Sequence, residues 1–463
     1  MTRSLLDSVN HSFYSYSSMS RDNYTYDPAS KPPNFGHPIG KYWAFNDDGY
    51  INLNHGSYGS LPLPVLDEVE RLGLLAEKNP DRFHRITYLP LLDEARSLIA
   101  GLVGAQTDEI TLVPNATHGI NTVLRNFEWR EGDVIIQATT TYGATIQYNF
   151  PLTHDEIIEL FKATIREVKK SYPNSEFTDI PGKSLSDSKN KIVTVIDSIV
   201  ANPGISLPWK ELVEISAQEG VWSVVDAAHS IGQETNINLS ESKPDFWVSN
   251  CHKWLYVKRG CAVLYVPKRN QHIIKSSIPT SHGYISPKLA PPAGYFRADH
   301  WENNSTNFVG QHEWTGTMDE APYLSITPAL KFRQWIGGEE AINTYCHDLA
   351  VSGGKKLAEL LGTNVLDDDH ILNLVNVRLP VPMDVPGSKP IWTAERKTKA
   401  DAILREKLLN EWNTYAAHYF HGGALWVRAS AQVWNEESDF EYIAKALNAI
   451  SEEIKKTVLV DST

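Results

Sequence analysis

The stretch Val221-Trp-Ser-Val-Val-Asp-Ala-Ala-His-Ser230 is a short apolar run that ends in an aspartate. Similar apolar runs occur at 192–196 and 261–266, and helical patterns separate such runs between about residues 46 and 265. This alternation predicts an α/β domain with a largely parallel sheet. Open sheets of this kind bind ligands beyond the carboxyl ends of their strands. Asp226, and Asn202 after the run 192–196, are therefore candidate site residues.

A second, smaller α+β domain is predicted in the C-terminal third. The chain has 463 residues, and single hydrophobic cores stop growing at about 250–300 residues. Beyond residue 322 the pattern changes to helices with short strands at 373–379 and 425–430 and a final amphipathic helix at 439–455. We expect a large domain at 46–321 and a small domain at 322–463. Residues 1–45, rich in Ser, Tyr, Asn and Pro, predict an extended arm around a partner subunit, with a disordered tail as the alternative.

The composition favours a protein that acts on small molecules. Lysine and arginine total 43 against 56 acidic residues, a net charge of −13 that repels nucleic acid. No run approaches the ~18 apolar residues of a membrane span. The odd set Cys251, Cys261 and Cys346, without a signal peptide, predicts reduced thiols and a cytoplasmic location. We expect neither a nucleic-acid nor a membrane partner.

The main chemical signal is Ser249-Asn-Cys-His-Lys253, followed by Trp254-Leu-Tyr-Val-Lys-Arg-Gly260. A lysine that follows an apolar strand pattern and precedes a glycine turn can be held inside a site. Burial would lower its pKa, and a neutral amine is what Schiff-base formation requires. For a His-Lys pair by itself, a surface lysine in a loop is the more common case.

Asp226 and His229 lie upstream of this lysine, and Asp226 precedes it by 27 residues. An aspartate at a strand end can bind the protonated pyridine nitrogen of pyridoxal 5'-phosphate (PLP), which keeps the ring an electron sink. His229 is placed to reach the phenolic oxygen of that cofactor or the substrate. The structural alternative for Asp226 is a cap of the next helix.

A third segment, Val113-Pro-Asn-Ala-Thr-His-Gly-Ile120, places small and hydroxyl-bearing residues ahead of a helical pattern. Backbone N–H groups and the Thr117 hydroxyl at a helix N-terminus form an anion site that suits a phosphate group. A simple helix cap by Asn or Thr is the alternative.

Tyr142 and Arg428 complete the set of candidates. Tyr142 follows the short run 133–137 and can stack on a pyridine ring, although it can equally be a core tyrosine. Arg428, in Trp426-Val-Arg-Ala-Ser430, lies on an apolar strand pattern, where a buried guanidinium needs an anion. That anion is either a substrate carboxylate or the acidic partner of a structural salt bridge.

The order and spacing of these segments resemble the class V aminotransferase superfamily of fold-type I PLP enzymes, from about residue 50 to 455. Four more segments, at 52–59, 80–85, 279–283 and 314–319, are similar to its isopenicillin N epimerase-like branch. Fungal members of that branch include the C–S lyase of ergothioneine biosynthesis and PLP enzymes of loline-type alkaloid clusters. The resemblance implies a large domain with a mostly parallel, seven-stranded-type sheet and a smaller C-terminal α+β domain.

Carried over by position, the resemblance makes Lys253 the Schiff-base lysine and proton shuttle, Asp226 the partner of the pyridine nitrogen and Tyr142 the stacking residue. It makes Arg428 the clamp on the substrate carboxylate. The further cofactor contacts that it implies are Asn115, Ala116, Thr117, Asn202, His229, Asn250 and His252.

Two features of the resemblance extend beyond this set. Gly316 and Thr317 match a pair that reaches the phosphate of the neighbouring subunit's cofactor, which implies a homodimer with shared active sites. Family position alone also implies a substrate-side wall, formed by His55, Ser57, Arg85 and His282.

The resemblance implies an enzyme that acts on an amino-acid-derived substrate through an external aldimine and a quinonoid. We expect a β- or γ-elimination, or one linked to replacement or ring closure, in fungal alkaloid-like specialised metabolism. The alternatives are the ergothioneine C–S lyase, an aminotransferase or epimerase and, in another class, a non-catalytic protein that keeps the fold. Thr145 replaces a cysteine common in C–S lyase relatives, which weakens that alternative. His252, His272 and His282 lack metal-ligand spacing, so we expect no metal site.

Overall fold

The structure, a computed structural model, describes residues 24–138, 146, 148–171, 190–278, 308–367 and 369–459. Its strands, in chain order, are β1 (Ile51–Asn52), β2 (Ile110–Val113), β3 (Val134–Gln137), β4 (Ile192–Asp197), β5 (Ile199–Val200), β6 (Ile205–Ser206), β7 (Trp222–Asp226), β8 (Phe246–Ser249), β9 (Ala262–Tyr265), β10 (Leu374–Arg378), β11 (Thr414–Tyr415), β12 (Ala417–His421) and β13 (Ala424–Ser430).

The helices, in chain order, are α1 (His37–Gly40), α2 (His55–Tyr58), α3 (Leu63–Lys78), α4 (Pro80–Arg82), α5 (Tyr88–Val103), α6 (Ala116–Asn126), α7 (His154–Ser171), α8 (Trp209–Gln218), α9 (Leu239–Ser242), α10 (Cys251–Trp254), α11 (Gly310–Glu313), α12 (Ala321–Leu324), α13 (Ile326–Trp335), α14 (Gly338–Leu361), α15 (Ala394–Asn410) and α16 (Glu437–Thr457). A π-helix spans Phe83–Thr87, and 3-10 helices span Ala44–Asn46, Thr107–Glu109 and Lys268–Ile273.

The described residues form a central sheet of six strands, in the order β2-β9-β8-β7-β4-β3. The pairs β3–β4, β4–β7 and β7–β8 are parallel, whereas β9 is antiparallel to both of its neighbours. The inner strands are buried on both faces, which is why they appear in the sequence as continuous apolar runs. The predicted α/β class with a mostly parallel sheet is confirmed, with six described strands against the seven of the implied type.

A second, antiparallel sheet has the order β10-β13-β12. Helices α14, α15 and α16 pack with it around a core of their own. The predicted strands at 373–379 and 425–430 are β10 and β13, and the predicted final helix is α16. The boundaries at 45/46 and 321/322 remain predictions, and β1 pairs with β11 across the second of them.

The described part of the N-terminal segment, from residue 24, packs on its own chain. Tyr42 and Trp43 are almost fully buried, and Tyr26 lies edge-on to Trp335 of α13. The Gly36 N–H donates to the Val433 carbonyl oxygen at 2.7 Å. In the part of the chain that the structure describes, no helix has both the length and the apolar character of a membrane span.

Close backbone packing fixes the loop that follows α2 against the short helix α10. Gly59 has φ +69° and ψ 161°, a region that side-chain-bearing residues rarely adopt. A Cβ atom at Gly59 would lie 1.7 Å from the His252 carbonyl oxygen, and one at Gly56 would lie 2.9 Å from the Trp254 ring. The end of α2 and the loop after it therefore reach α10 only because both positions are glycine.

We expect Gly59→Ala to lower the free energy of unfolding by at least about 1–3 kcal/mol, the usual cost of a strained backbone conformation. The clash with His252 adds to this cost. Gly49→Ala is the matched control, because Gly49 has φ +64° and a Cβ atom there would meet no described atom within 4 Å. It should lose only about 1 kcal/mol. Urea unfolding followed by tryptophan fluorescence compares the two; equal losses would contradict the packing argument.

Candidate active site

The predicted site residues Asp226 and Lys253 meet at the carboxyl edge of the central sheet. Asp226 ends β7 and pairs with Val248 on the adjacent parallel strand β8. Lys253 lies in α10, directly after β8. The Ser249 hydroxyl ties the two strand ends together, because it donates to the Ala227 carbonyl oxygen and accepts from the Ile231 N–H.

The Lys253 amine is held in an environment that disfavours its charge. Its Nζ lies 2.9 Å from Nε2 of His229, a residue that is 2% exposed. Burial lowers the pKa of Lys253 to about 8, the charge of Arg428 acts in the same direction, and Asp226 opposes both. A substantial fraction of the amine is therefore neutral near pH 8.

Opposing influences act on the pKa of the Asp226 carboxyl group. The Ala228 N–H donates to its Oδ1 at 3.1 Å. Burial raises the pKa of Asp226, while the Ala228 hydrogen bond and the Lys253 charge oppose that rise. The carboxylate is thus oriented by the backbone and faces the Lys253 amine across the strand ends.

The start of α6 lies beside the same loop. Asn115 is the N-cap, with its Oδ1 accepting from the His118 N–H at 2.8 Å, and Asn250 Oδ1 accepts from the Ala116 N–H at 2.9 Å. Asn250 therefore links α6 to the segment that carries Lys253. Thr117 is exposed at this helix end, where backbone N–H groups favour an anion.

His252 and Gly119 make further contacts that stabilise α10 and α6. His252 Nδ1 lies 2.8 Å from the Cys261 carbonyl oxygen, and burial lowers its pKa. A Cβ atom at Gly119 would lie 2.6 Å from a Val248 methyl group, so α6 packs on β8 at a distance that only glycine allows.

Arg428 reaches this site from the small sheet. It is 2% exposed, its Nη2 donates to the Ser57 hydroxyl at 3.0 Å, and its Nη1 donates to the Ala201 carbonyl oxygen. Burial lowers its pKa to about 10. Within the described residues it forms no ion pair with a carboxylate, and its Nε has no partner. The acidic partner that a structural salt bridge would require is therefore not found among the described residues.

Sequence reasoning missed Asn376, which holds the Arg428 environment in place. It pairs with Arg428 on the neighbouring strand, accepts from the Gly204 N–H at 3.0 Å and donates to the Gly204 carbonyl oxygen at 3.2 Å. The Tyr419 hydroxyl also donates to its Oδ1, at 2.9 Å. A polar residue inside the apolar run 374–378 was the available signal.

The other predicted site residues differ in their burial and contacts. His55 is buried among Trp254, Tyr256 and Trp434, and burial lowers its pKa to about 3, while a hydrogen bond with the Lys253 backbone opposes that shift. Arg85 is exposed and pairs with Asp81 at 3.2 Å.

Asn202 and Thr317 are exposed, and Gly316 is partly exposed with φ +140°. Tyr142 and His282 lie outside the described residues. Among the residues that are described, no group of three or more His, Cys, Asp or Glu side chains is arranged to hold a metal ion.

Opposite charge changes should move the pKa of Lys253 in opposite directions. Asp226→Asn removes a charge that favours the ammonium form, so the pKa should fall; Arg428→Met removes one that disfavours it, so the pKa should rise, each by about one unit. Competitive acetylation of the PLP-free, full-length protein across pH 8, with mass spectrometry of the Lys253 peptide, measures both. Arg405→Met, on the exposed face of α15, is the control. Shifts of the same sign would contradict this charge arrangement.

Comparison with known proteins identifies the family. Residues 77–289 match the family model described as Aminotransferase class-V. The chain is 34% identical to the L-cysteine desulfhydrase-like protein lolT1 of Epichloe uncinata, over 92% of this chain and 98% of that protein. It is 30% identical to the hercynylcysteine sulfoxide lyase of Schizosaccharomyces pombe, over 89% of this chain and 97% of that protein.

Solved structures of PLP enzymes have the same fold as this chain. The apo cysteine desulfurase of Thermococcus onnurineus NA1 superposes with a TM-score of 0.62 at 18% identity, over 92% of this chain and 100% of that one. A cystine C–S lyase in complex with cysteine persulfide superposes with a TM-score of 0.61 at 17% identity, over 86% of this chain and 97% of that one. The resemblance is confirmed: the chain belongs to the class V aminotransferase family of fold-type I PLP enzymes.

Proposed function

We propose that this PLP-dependent enzyme is a lyase that eliminates a leaving group from the β- or γ-carbon of an α-amino acid. We place it in fungal, alkaloid-like specialised metabolism, where replacement or ring closure can follow elimination. The observation that carries the proposal is that three groups lie together: the partly neutral amine of Lys253, the carboxyl group of Asp226 and the buried guanidinium of Arg428. Among the described residues, that guanidinium has no carboxylate partner.

The residues fit the cofactor of this family. Lys253 offers an amine of lowered pKa, Asp226 offers a buried carboxyl group for a protonated ring nitrogen, and the α6 N-terminus around Thr117 offers N–H groups for a phosphate. When bound, PLP supplies an electron sink for the electron pair released at the substrate Cα.

Each of the chain's own residues has a defined task in this reaction. Arg428 binds the substrate carboxylate and so orients the Cα–H bond. Lys253 Nζ, as a neutral amine, takes the proton from Cα. Asp226 holds the proton on the pyridine nitrogen, and the His229 ring fixes the position of Lys253 Nζ.

For an S-substituted cysteine the overall balance is simple. The Cβ–S bond breaks and its electron pair leaves with sulfur as a thiol. Hydrolysis of the remaining enamine consumes one water and gives pyruvate and ammonia. No external oxidant or reductant is required.

The names of the relatives support a sulfur-bearing substrate as the first to test. They include an L-cysteine desulfhydrase-like protein and a hercynylcysteine sulfoxide lyase. The ergothioneine C–S lyase remains an alternative, and Thr145, in place of the cysteine common in such lyases, weighs against it. An aminotransferase or epimerase is the other alternative within this cofactor's chemistry.

We also propose a homodimer with shared sites, and a cytoplasmic location. The exposure of Thr317 and the partial exposure of Gly316 support the first, because these residues can then meet another subunit. The second is supported by three cysteines, all of them free thiols buried in the fold.

Lys253→Ala should abolish the visible absorbance of lysine-bound PLP and lower turnover by at least about 100-fold, the usual contribution of a general base. The full-length holoenzyme is assayed with S-substituted cysteines and O-acetylhomoserine, with keto acid, ammonia and leaving group identified by mass. Lys258→Ala, which removes a partly exposed lysine paired with Asp319, is the matched control. Keto acid formed only with an amino acceptor would point to transamination, and full turnover of the alanine variant would exclude a catalytic Lys253.

Shared sites can be tested with a hybrid dimer of a Lys253→Ala subunit and a Thr317→Asp subunit, purified through two different tags. If Thr317 serves the partner's cofactor, one of the two sites is intact and the hybrid should show about half the wild-type activity. If Thr317 serves its own subunit, both sites are defective. An inactive hybrid would therefore contradict the shared-site proposal.

A further inference from the structure

His229 has a neighbour at each of its two ring nitrogens. The Trp254 indole N–H donates to Nδ1 at 3.2 Å, and Nε2 lies 2.9 Å from Lys253 Nζ. The histidine is 2% exposed and Trp254 is fully buried. These contacts are therefore made without competition from bulk water.

The Trp254 contact determines where the histidine proton lies. An indole N–H can only donate, so Nδ1 must present its lone pair. Burial, together with the charges of Lys253 and Arg428, lowers the pKa of His229 well below its usual value, and the ring is neutral. Its single proton is consequently on Nε2, facing Lys253 Nζ.

This N–H group distinguishes the two forms of the lysine. A neutral amine has a lone pair that can accept from Nε2–H, whereas an ammonium group has only donors. Two donors facing each other in a buried site are unfavourable. The tautomer therefore favours the uncharged lysine.

We propose that Trp254 is a positioning residue that fixes His229 with its proton on Nε2 and, through that N–H, holds Lys253 in its uncharged form. The significance of this role rests on the proposed function, because a PLP-binding lysine must be uncharged to form its Schiff base. Trp254 acts through His229 and needs no contact with cofactor or substrate.

Other charged and titratable groups also face Lys253. Asp226 favours its ammonium form and Arg428 disfavours it, while His252 lies close enough to interact with the same charge. None of these three is hydrogen-bonded to the Trp254 indole within the described residues. A change at Trp254 therefore tests the His229 route separately from the direct charges.

Trp254→Phe removes the donor and keeps an apolar ring. His229 can then carry its proton on Nδ1 and offer the Nε2 lone pair to an ammonium group, so the pKa of Lys253 should rise by about one unit. Competitive acetylation of the PLP-free, full-length chain measures it. Trp247→Phe is the matched control, because Trp247 is equally buried and its indole N–H has no partner among the described residues; it should cause no shift.

A double-variant comparison tests whether the effect passes through His229. In a His229→Phe background, Trp254→Phe should cause no further shift in the pKa of Lys253. The proposal is overturned by an unchanged titration of Trp254→Phe, by an equal shift in Trp247→Phe, or by a further shift in the double variant.

Two measurements on the wild-type protein complete the test. Histidine ¹⁵N NMR should show His229 neutral with its proton on Nε2, and a proton on Nδ1 would overturn the proposal even if Trp254→Phe did not fold. PLP added to the same wild-type chain should give the visible absorbance of lysine-bound cofactor. Its absence would refute the proposed function, whereas the NMR and acetylation results judge the tautomer separately.

Discussion

The geometry of the site depends on the buried guanidinium of Arg428. It lies on β13 of the small sheet, yet its donors reach Ser57 in α2 and the carbonyl oxygen of Ala201 between β5 and β6. Burying a charge is costly unless hydrogen bonds compensate for the lost water. Arg428 is therefore accommodated where these three segments meet, and its bonds fix the small sheet against α2 and the connection between β5 and β6. Asn376 repeats the link on the next strand through Gly204.

The same guanidinium contributes to the chemistry of the lysine. Burial and the Arg428 charge lower the pKa of Lys253, and Asp226 opposes them, so that this pKa is about 8. A group that both takes and returns a proton works best when its pKa is near the working pH. In the proposed reaction, one buried cation thus combines two tasks: it offers donors for a substrate carboxylate, and it favours the neutral form of Lys253.

Much of this could be predicted from the sequence because the decisive residues follow buried strands. Strands covered on both faces appear as unbroken apolar runs, and Asp226 and Lys253 stand at the ends of two such runs. Asn376 and Trp254 could not be recognised in this way. Asn376 acts on Gly204, 172 residues away in the chain, and Trp254 looks like any core tryptophan until its indole N–H is seen against His229. The aromatic surroundings of His55 could not be predicted either, because Trp254 and Trp434 are far from it in the chain and only the fold brings them to its ring.

The short helix α10, which carries Lys253, depends on contacts with other segments for its stability. Four residues form too short a helix to be stable by itself, because nucleation is unfavourable without further turns. Its stability comes from outside: Arg333 donates to the Trp254 carbonyl oxygen at 2.8 Å, the Cys261 carbonyl oxygen accepts from the His252 N–H, and Gly59 packs on the His252 carbonyl group. These contacts come from α13, from the start of β9 and from the loop after α2. The position of the Lys253 amine therefore depends on several distant segments, and a change in any of them acts on Lys253 Nζ through the position of α10.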